Sequence, residues 1–307
     1  MQNPPSRPKP RKTPTKHIEM LGRTAARSLL RGRGGGRTVQ TRCSSGSPKF
    51  SAAGVTGTGF VAGTLGSLAG MGGGFVAIPM MTHFGVSQHA AHGTSLVGVV
   101  ATGFAGAGAY WLSDSVEPVA ALTVASTGMV TAAAGARAAA ALEAKVLKRC
   151  LGVFMLCVAP VVPFKQHLID WIQASKKVEE ETTTIQKYGA LLGTGCCAGF
   201  LSGLFGVGGG AVVVPLLAVV TDMDYKTALG TSLLAMVPTG VAGVVAHARL
   251  GNVQLPIAAP LVLGTCAGAA LGGYLGGNFI PEEPMKLGFG ALMTVLGART
   301  LLTTFLK

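Results

Sequence analysis

Long stretches without charged residues alternate with short polar segments along this chain of 307 residues. The longest runs from residue 50 to residue 113 and contains no Asp, Glu, Lys or Arg over 64 positions. One crossing of a bilayer needs about 20 apolar residues, so this stretch is long enough for several crossings. Further uncharged stretches follow at 118–136, 188–221, 227–248 and 250–281. The pattern predicts an all-α polytopic membrane protein.

Each half of the chain contains the same order of apolar elements. A helix leads to a triple glycine, and a short piece, a helix rich in small residues and two further spans follow. The predicted elements are 54–69, 75–86, 88–112, 117–141 and 145–164 in the first half, and 189–205, 211–221, 225–248, 254–278 and 284–306 in the second. The two short pieces cannot cross alone, because a helix rises only about 1.5 Å per residue. The sequence therefore predicts about eight full transmembrane helices plus two short or broken segments.

The two halves also match each other in sequence. The segments "GMGGGFVAIP" (70–79) and "GVGGGAVVVP" (206–215) are identical at six of ten positions. The tetrapeptide "GTSL" occurs at 93–96 and again at 230–233. The offset between the halves is 136 residues at the first motif and 137 at the second. Collinear similarity of this kind indicates an internal duplication, which is how many transporters are built.

The duplication defines the expected organisation of the chain. Two homologous transmembrane repeats occupy 51–164 and 188–307, and a hydrophilic linker at 165–187 joins them. Five spanning elements per repeat would invert the second repeat relative to the first, whereas four would leave the two parallel. Because the short pieces can be counted either way, both topologies stay open here.

Residues 1–50 form a basic N-terminal tail that differs from the rest. They hold 12 Lys and Arg and one acid, Glu19, which is +11 of the chain's net charge of +13. Such a composition is typical of an organelle transit peptide and equally of a cytosolic tail that follows the positive-inside rule. The first alternative places the protein in a mitochondrial or plastid inner membrane, and the second in the plasma membrane. We expect no nucleic-acid partner, since aromatic residues for base stacking do not accompany the arginines.

Overall composition narrows the class further. Only 12% of the residues are charged, against about 25% in soluble domains, which excludes a soluble two-domain enzyme. The cysteines are scattered and form no CxxC pair, so we expect neither a metal site nor a cofactor. The expected surroundings are the lipid bilayer, and the sequence leaves the oligomeric state open.

The glycine triplets carry the strongest chemical signal. Glycine costs about 1 kcal/mol relative to alanine inside a helix, so three together should break one. In hydrocarbon, such a break survives only inside protein or beside an aqueous cavity. It exposes N–H groups at the N-terminus of the next helix, where the helix dipole favours an anion. We expect the two breaks to converge near the midplane and bind a small anionic substrate. The alternative is that these glycines only allow close helix packing. The substrate-binding candidates in these segments are Gly72, Gly73, Gly74, Pro79, Gly208, Gly209, Gly210 and Pro215.

The duplicated hydroxyl side chains are the second set of candidates. Thr94 and Ser95 in the first half, with Thr231 and Ser232 in the second, could donate to an oxyanion without adding charge. The alternative is that these hydroxyls bond to their own helix or to neighbouring helices.

The titratable residues of the apolar stretches point less clearly to function. The histidines have no counterparts in the other half, so packed or interfacial roles are favoured over a proton relay. No Asp or Glu lies well inside a predicted span. Coupling therefore uses a histidine or a backbone site, or transport is passive and driven by the anion gradient and the membrane potential.

These motifs resemble the TauE/SafE family of sulfite and organosulfur-anion exporters. The second half fits the family pattern with "GLFGVGGGAVVVPLL" (203–217), "ALGTSL" (228–233) and "HARLGNV" (247–253). The resemblance covers about residues 54–306. It implies an integral membrane permease that exports sulfite, sulfoacetate or a related small anion.

The first half departs from that pattern after its GTSL segment. Tyr110 stands where the second half has His247, and Asp114 stands where it has Gly251. The two halves therefore carry different residues at these two positions.

A hydrolase is the main alternative to a transporter. An intramembrane enzyme could use Ser95 or Ser232 as a nucleophile, which needs an adjacent base. His92 lies one helical turn before Ser95, but Leu229 occupies that position before Ser232. Because the pair does not repeat, we expect a permease and not an enzyme. A transporter of an unrelated small solute is a further alternative.

Overall fold

The computed structural model describes residues 51–160 and 184–305, apart from residue 222. The basic tail and most of the predicted linker lie outside the described residues. Within them the chain forms ten helices and no strand. The helices are α1 (Ala52–Leu68), α2 (Gly74–His83), α3 (Gln88–Trp111), α4 (Pro118–Ala141), α5 (Ala144–Val158), α6 (Thr184–Phe205), α7 (Gly210–Val220), α8 (Tyr225–Arg249), α9 (Leu255–Asn278) and α10 (Glu282–Phe305). Each coincides with a predicted element, and the all-α fold class is confirmed.

By length and hydropathy, fewer helices of the described chain qualify as candidate membrane spans than the sequence predicts. Five helices of the described chain are long and apolar enough to cross a membrane: α4, α6, α8, α9 and α10. The prediction of eight full spans is therefore not confirmed. Helix α1 has only 17 residues. Helix α3 has 24 residues, but its glycine, histidine and hydroxyl residues lower its mean hydropathy. Most of its positions are buried.

Small residues let the outer helices pack at backbone distance. A Cβ on Gly59 would lie 2.5 Å from the carbonyl oxygen of Leu261, and one on Gly63 2.8 Å from the Cα of Thr265. The residue numbers of the contacting pairs increase together along both helices, so α1 and α9 run parallel. The same holds for α6 and α4, where Gly199 meets Gly128 and Gly203 meets Ala132. Such small-residue contacts are the usual way in which membrane helices approach closely.

The central helices, in contrast, pack against each other in antiparallel pairs. Gly103 of α3 faces Leu233 of α8, whereas Gly243 of α8 faces Leu96 of α3, so these two helices are antiparallel. Helices α5 and α10 are antiparallel as well, since Gly152 meets Leu301 and Gly297 meets Leu156. In both pairs the partners occupy the same position in the two halves of the chain.

These directions give the bundle two ends of different charge. Helices α1, α3, α5 and α9 begin at one end, which we call the basic end, and α4, α6, α8 and α10 finish there. Among the described residues, the charged side chains near the basic end are Arg137, Glu143, Lys145, Lys148, Arg149, Arg249 and Arg299. The opposite, acidic end carries Asp114, Glu117, Lys187, Asp224, Lys226, Glu282, Glu283 and Lys286.

Candidate functional site

The chain breaks its helical path at both glycine triplets. Gly73 and Gly209 cap α2 and α7 in the left-handed conformation, each with a φ of 73°. Gly72 and Gly208 also have positive φ, at 78° and 92°. An L side chain pays a steric cost of about 1–2 kcal/mol in this region, which explains why the sequence uses glycine here.

Each break folds the chain back on the helix before it. The N–H groups of Met71 and Gly72 donate to the carbonyl of Gly66 at 2.8 and 3.3 Å. Gly73 then lies against the Ala62 backbone, so α2 begins inside the bundle and runs back toward the basic end. In the second half Gly209 lies against Ala198 in the same way. Helix α7 therefore starts inside the bundle too and runs toward the acidic end.

The two breaks meet each other in the interior. A Cβ on Gly74 would lie 2.7 Å from the carbonyl oxygen of Gly206. One on Gly210 would overlap the carbonyl of Gly70 and lie 2.8 Å from the Cα of Met71. The N-termini of α2 and α7 thus each abut the opposite break, and the expected convergence is present.

Backbone donors are unpaired at this meeting point. In the described chain, the N–H groups of Gly74 and Phe75 have no hydrogen-bond partner, nor do those of Gly210 and Ala211. All four residues are buried. The first N–H groups of a helix have no acceptor within it, and the dipole makes this end electropositive. Two such ends lie in the interior, each against the break of the opposite half.

An apolar pair fills the space between the breaks. Cβ atoms on Gly72 and Gly208 would lie 2.8 and 2.6 Å from Cγ1 of Val99. Both would also approach Sδ of Met236, at 3.4 and 2.8 Å. Val99 on α3 and Met236 on α8 are buried and separated by the 137-residue offset of the GTSL motifs. Sequence reasoning missed this pair, although the shared offset could have found it.

The two serines of the GTSL motifs brace the opposite breaks. The hydroxyl of Ser95 donates to the carbonyl of Gly206 at 2.7 Å, and that of Ser232 donates to the carbonyl of Gly70 at 2.6 Å. Each hydroxyl also lies near the carbonyl three residues earlier on its own helix, at 2.9 and 3.0 Å. The predicted role of these hydroxyls as anion ligands stays a prediction, but each is already paired with the other half.

The neighbouring threonines hold loops of the opposite half. Thr94 accepts the backbone N–H of Gln254 at 3.0 Å, and Thr231 accepts that of Glu117 at 2.9 Å. The prolines of the predicted site lie further away, inside α2 and α7. Of these two, Pro79 lines a cavity at the basic end.

The two departures of the first half preserve the local structure. His247 donates from Nε2 to the carbonyl of Gly203 at 2.8 Å. Tyr110 donates its hydroxyl to the carbonyl of Ser67, the position equivalent to Gly203, at 3.4 Å. Asp114 has a φ of 51°, and its counterpart Gly251 has 74°. Tyr110 and His247 thus make equivalent hydrogen bonds in the two halves. Asp114 occupies a left-handed turn position, which aspartate tolerates better than most residues.

One buried histidine has no counterpart. The side-chain amide of Gln88 is hydrogen-bonded to Nε2 of His92 at 2.8 Å. Nδ1 of His92 has no partner among the described residues, and the residue is fully buried. The equivalent positions in the second half are Tyr225 and Leu229.

A family model described as sulfite exporter TauE/SafE matches residues 55–300. The chain belongs to the TauE/SafE family. It is 26% identical over 260 residues to a probable membrane transporter protein of Methanocaldococcus jannaschii, covering 80% of this chain and 93% of the relative. It is 28% identical over 230 residues to the probable membrane transporter protein YunE of Bacillus subtilis, covering 70% and 84%. No solved structure is a significant match. The protein is a multi-pass membrane transporter of this family.

Proposed function

We propose that this transporter exports a small anion, sulfite or an organosulfonate, along a path lined by the paired glycine breaks. The observation that carries the proposal is the pair of helix N-termini at the meeting point of the two breaks, whose buried N–H groups are unpaired in the described chain. Backbone donors and helix dipoles together favour an anion. The family description names sulfite, which agrees with that chemistry.

We also propose that the two halves are inverted repeats with four full spans and one half-length helix each. Equivalent helices α3 and α8 are antiparallel, as are α5 and α10. That arrangement supports a pseudo-twofold axis in the membrane plane, as in many secondary transporters. Such an axis places the two breaks at its centre and supports alternating access.

Passage of the anion requires the apolar pair to move. Val99 and Met236 are buried and contact both breaks. In this conformation their side chains occupy the space between the two breaks. Opening toward either end would shift one of these side chains away from its glycine and expose the adjacent N–H groups.

The hydrogen bonds of the serines favour transport over hydrolysis. The proton of Ser95 is directed at carbonyl oxygens, and the ring of His92 is bonded to Gln88 instead. A nucleophilic serine needs a base within hydrogen-bond reach. We therefore propose that the protein is not an enzyme.

For localisation we propose the plasma membrane, because the matched relatives come from a bacterium and an archaeon. A mitochondrial or plastid inner membrane is the alternative, and it depends on residues 1–50, which lie outside the described residues. Deleting 1–50 and following the protein by membrane fractionation separates the two. Unchanged targeting excludes a transit peptide.

Flux into proteoliposomes tests the substrate. We expect sulfite to accumulate along its concentration gradient, and an imposed positive-inside potential to increase uptake of this anion. Thiosulfate, sulfate and sulfoacetate added in excess rank the substrates by competition. Empty liposomes correct for sulfite that crosses as the neutral acid. Absence of flux for every sulfur oxyanion would contradict the proposed substrate class.

A further inference from the structure

The two glycine breaks use their backbone N–H groups differently. In the first break, the N–H groups of Met71 and Gly72 both donate to the carbonyl of Gly66. The residue equivalent to Gly66 in the second half is Ser202, and its carbonyl accepts the N–H of Gly206 at 2.8 Å instead. Helix α6 therefore continues for one more residue than α1 does before the chain breaks.

This difference leaves two additional donors unpaired in the second break. The N–H groups of Val207 and Gly208 correspond to the two paired donors of the first break, but they have no hydrogen-bond partner among the described residues. The N–H groups of Gly210 and Ala211, at the start of α7, have none there either. All four residues are buried. The second break thus offers more unpaired backbone donors than the first.

The backbone conformation brings these donors toward one another. Gly206 and Gly208 have φ values of 69° and 92°, whereas Val207 between them has a negative φ. Successive N–H groups in a turn of alternating handedness form a concavity that binds anions. The electropositive N-terminus of α7 lies directly after this turn. Both contributions favour negative charge at the second break.

A buried hydroxyl without a partner belongs to the same break. Ser202 is 0% exposed, and its Oγ has no hydrogen-bond partner among the described residues. Buried hydroxyls are normally hydrogen-bonded, since an unpaired polar group in an apolar interior costs free energy. The hydroxyl of Ser202 is therefore available to a ligand that binds at the break.

The helix face on which Ser202 lies directs its side chain at the second break. Ser202 follows Ala198 by four residues on α6, so the two side chains lie on one face. A Cβ on Gly209 would lie 3.3 Å from the Cβ of Ala198, which shows that this face meets the break. In the first half, a Cβ on Gly66 would overlap the backbone of Gly73, the counterpart of Gly209.

The same comparison explains why the two breaks pair their donors differently. The first break packs directly on Gly66, which has no side chain, and its N–H groups reach the Gly66 carbonyl. Ser202 has a Cβ at the equivalent position, which holds the second break away from the carbonyl beneath it. One serine in place of glycine thus removes two backbone hydrogen bonds and adds a hydroxyl donor.

We propose that the second break, and not the first, is the oxyanion-binding site of this transporter, with Ser202 Oγ and the N–H groups of Val207, Gly208, Gly210 and Ala211 as its donors. This inference rests on the proposed anion transport for its purpose. One anion binds per chain, because the equivalent donors of the first break are paired within it. The first break lines the path without binding the anion.

The site contains no charged group of its own. No Asp, Glu, Lys or Arg lies between residues 188 and 221, which include the break and the helices on either side of it near the site. Uncharged donors hold an oxyanion more weakly than a cation would. Weak binding suits a site from which the anion has to be released at the other side of the membrane.

Kinetics of Ser202→Ala test the hydroxyl. The KM for sulfite in proteoliposomes should rise by about tenfold. The thermal stability of the substrate-free variant should stay equal to that of wild type or increase, because the lost hydroxyl had no partner. The proposal requires both results, and either one missing overturns it.

Ser67→Ala is the matched control for this variant. Ser67 is a buried serine at the same level of α1, and its hydroxyl donates to the carbonyl of Thr64 on its own helix at 3.2 Å. Its removal should leave the KM for sulfite within about twofold of wild type. An equal increase in KM in both variants would show that the effect of Ser202→Ala is not specific to the second break, and would overturn the site.

Sulfite binding to purified protein separates this proposal from the proposed function. Calorimetric titration in neutral detergent should give about one sulfite per chain, with a Kd about tenfold higher in Ser202→Ala and unchanged in Ser67→Ala. If this result holds but proteoliposomes show no flux, the site stands and the transport proposal fails. If flux is normal, the site is wrong when two sulfites bind, when none binds, or when Ser202→Ala binds like wild type.

Discussion

The two glycine breaks have the same backbone conformation but different surroundings. Both have left-handed glycines, a hydroxyl brace from the opposite half and an unpaired helix N-terminus. Their flanks differ, since Gln88 and His92 lie between the second break and an open cavity, whereas Tyr225, on the flank of the first break, lies beneath Lys286. The backbone conformation of the breaks and their serine hydrogen bonds are the same in both halves. The residues that flank the breaks, and the cavities beside them, differ between the halves.

The largest effect is expected when a Cβ is added to the left-handed glycines of the two breaks. Gly73→Ala and Gly209→Ala should each destabilise the protein by several kcal/mol, because the left-handed cost adds to an overlap with the Ala62 or Ala198 carbonyl. Thermal unfolding of purified protein measures the effect. Gly251→Ala is the control for φ alone, since no atom lies within 4 Å of its Cβ position. A large loss in one half only would break the equivalence of the two breaks.

The serine braces should be of similar strength in both halves. Ser95→Ala and Ser232→Ala should each cost about 1–3 kcal/mol, because each leaves a buried carbonyl without its donor. Ser126→Ala is the control, as its hydroxyl bonds only within its own helix at an exposed site. Chemical denaturation and sulfite kinetics are measured on the same samples. An increase in KM at unchanged stability would instead indicate direct contact of the hydroxyl with the anion.

Exchanging the residues that differ at equivalent positions should have a smaller effect. His247→Tyr places in the second half the residue that already makes this contact in the first. We expect a loss of stability of about 1 kcal/mol or less and a flux within about threefold of wild type. His247→Ala, which removes the donor to Gly203, should cost more. Loss of flux in a stable His247→Tyr protein would show that the imidazole has a role that the phenol does not fill.

The smallest effect is expected at the left-handed turn position that Asp114 occupies in the first half and Gly251 in the second. Asp114→Gly should change stability by about 0.5 kcal/mol or less, because relief of the left-handed strain is offset by the entropy of an added glycine. Thermal unfolding of the purified protein checks this. A loss of more than about 2 kcal/mol would show that the Asp114 carboxylate, and not the turn, is what the first half retains.

The sequence could predict the helices and the breaks, but only part of the site. The hydropathy pattern and the glycine triplets are local signals, so the helix bounds and the helix ends at Gly73 and Gly209 followed from them. The duplicated GTSL segments were visible as well, yet the bond from Ser232 to Gly70 spans 162 residues. Nothing in a single sequence states which carbonyl a hydroxyl meets.

The apolar pair and the basic-end cavity that Pro79 lines were hidden from sequence reasoning for different physical reasons. Val99 and Met236 are ordinary apolar residues in apolar helices, and only their contact with both breaks distinguishes them. Lys148 and Arg299 belong to α5 and α10, and each alone is a plain cation near a helix end. Their common cavity depends on the antiparallel packing of those helices. Tertiary contacts of this kind are not encoded by periodicity.

The reciprocal serine braces also set an order of assembly during synthesis. The ribosome makes the chain from its N-terminus, so Ser95 is already in place when Gly206 emerges. The second break can therefore be braced as soon as it is made. Gly70, in contrast, must wait for Ser232. Until then the newly inserted first half holds an incomplete break in the membrane, and a ribosome that stalls between the halves would leave it there.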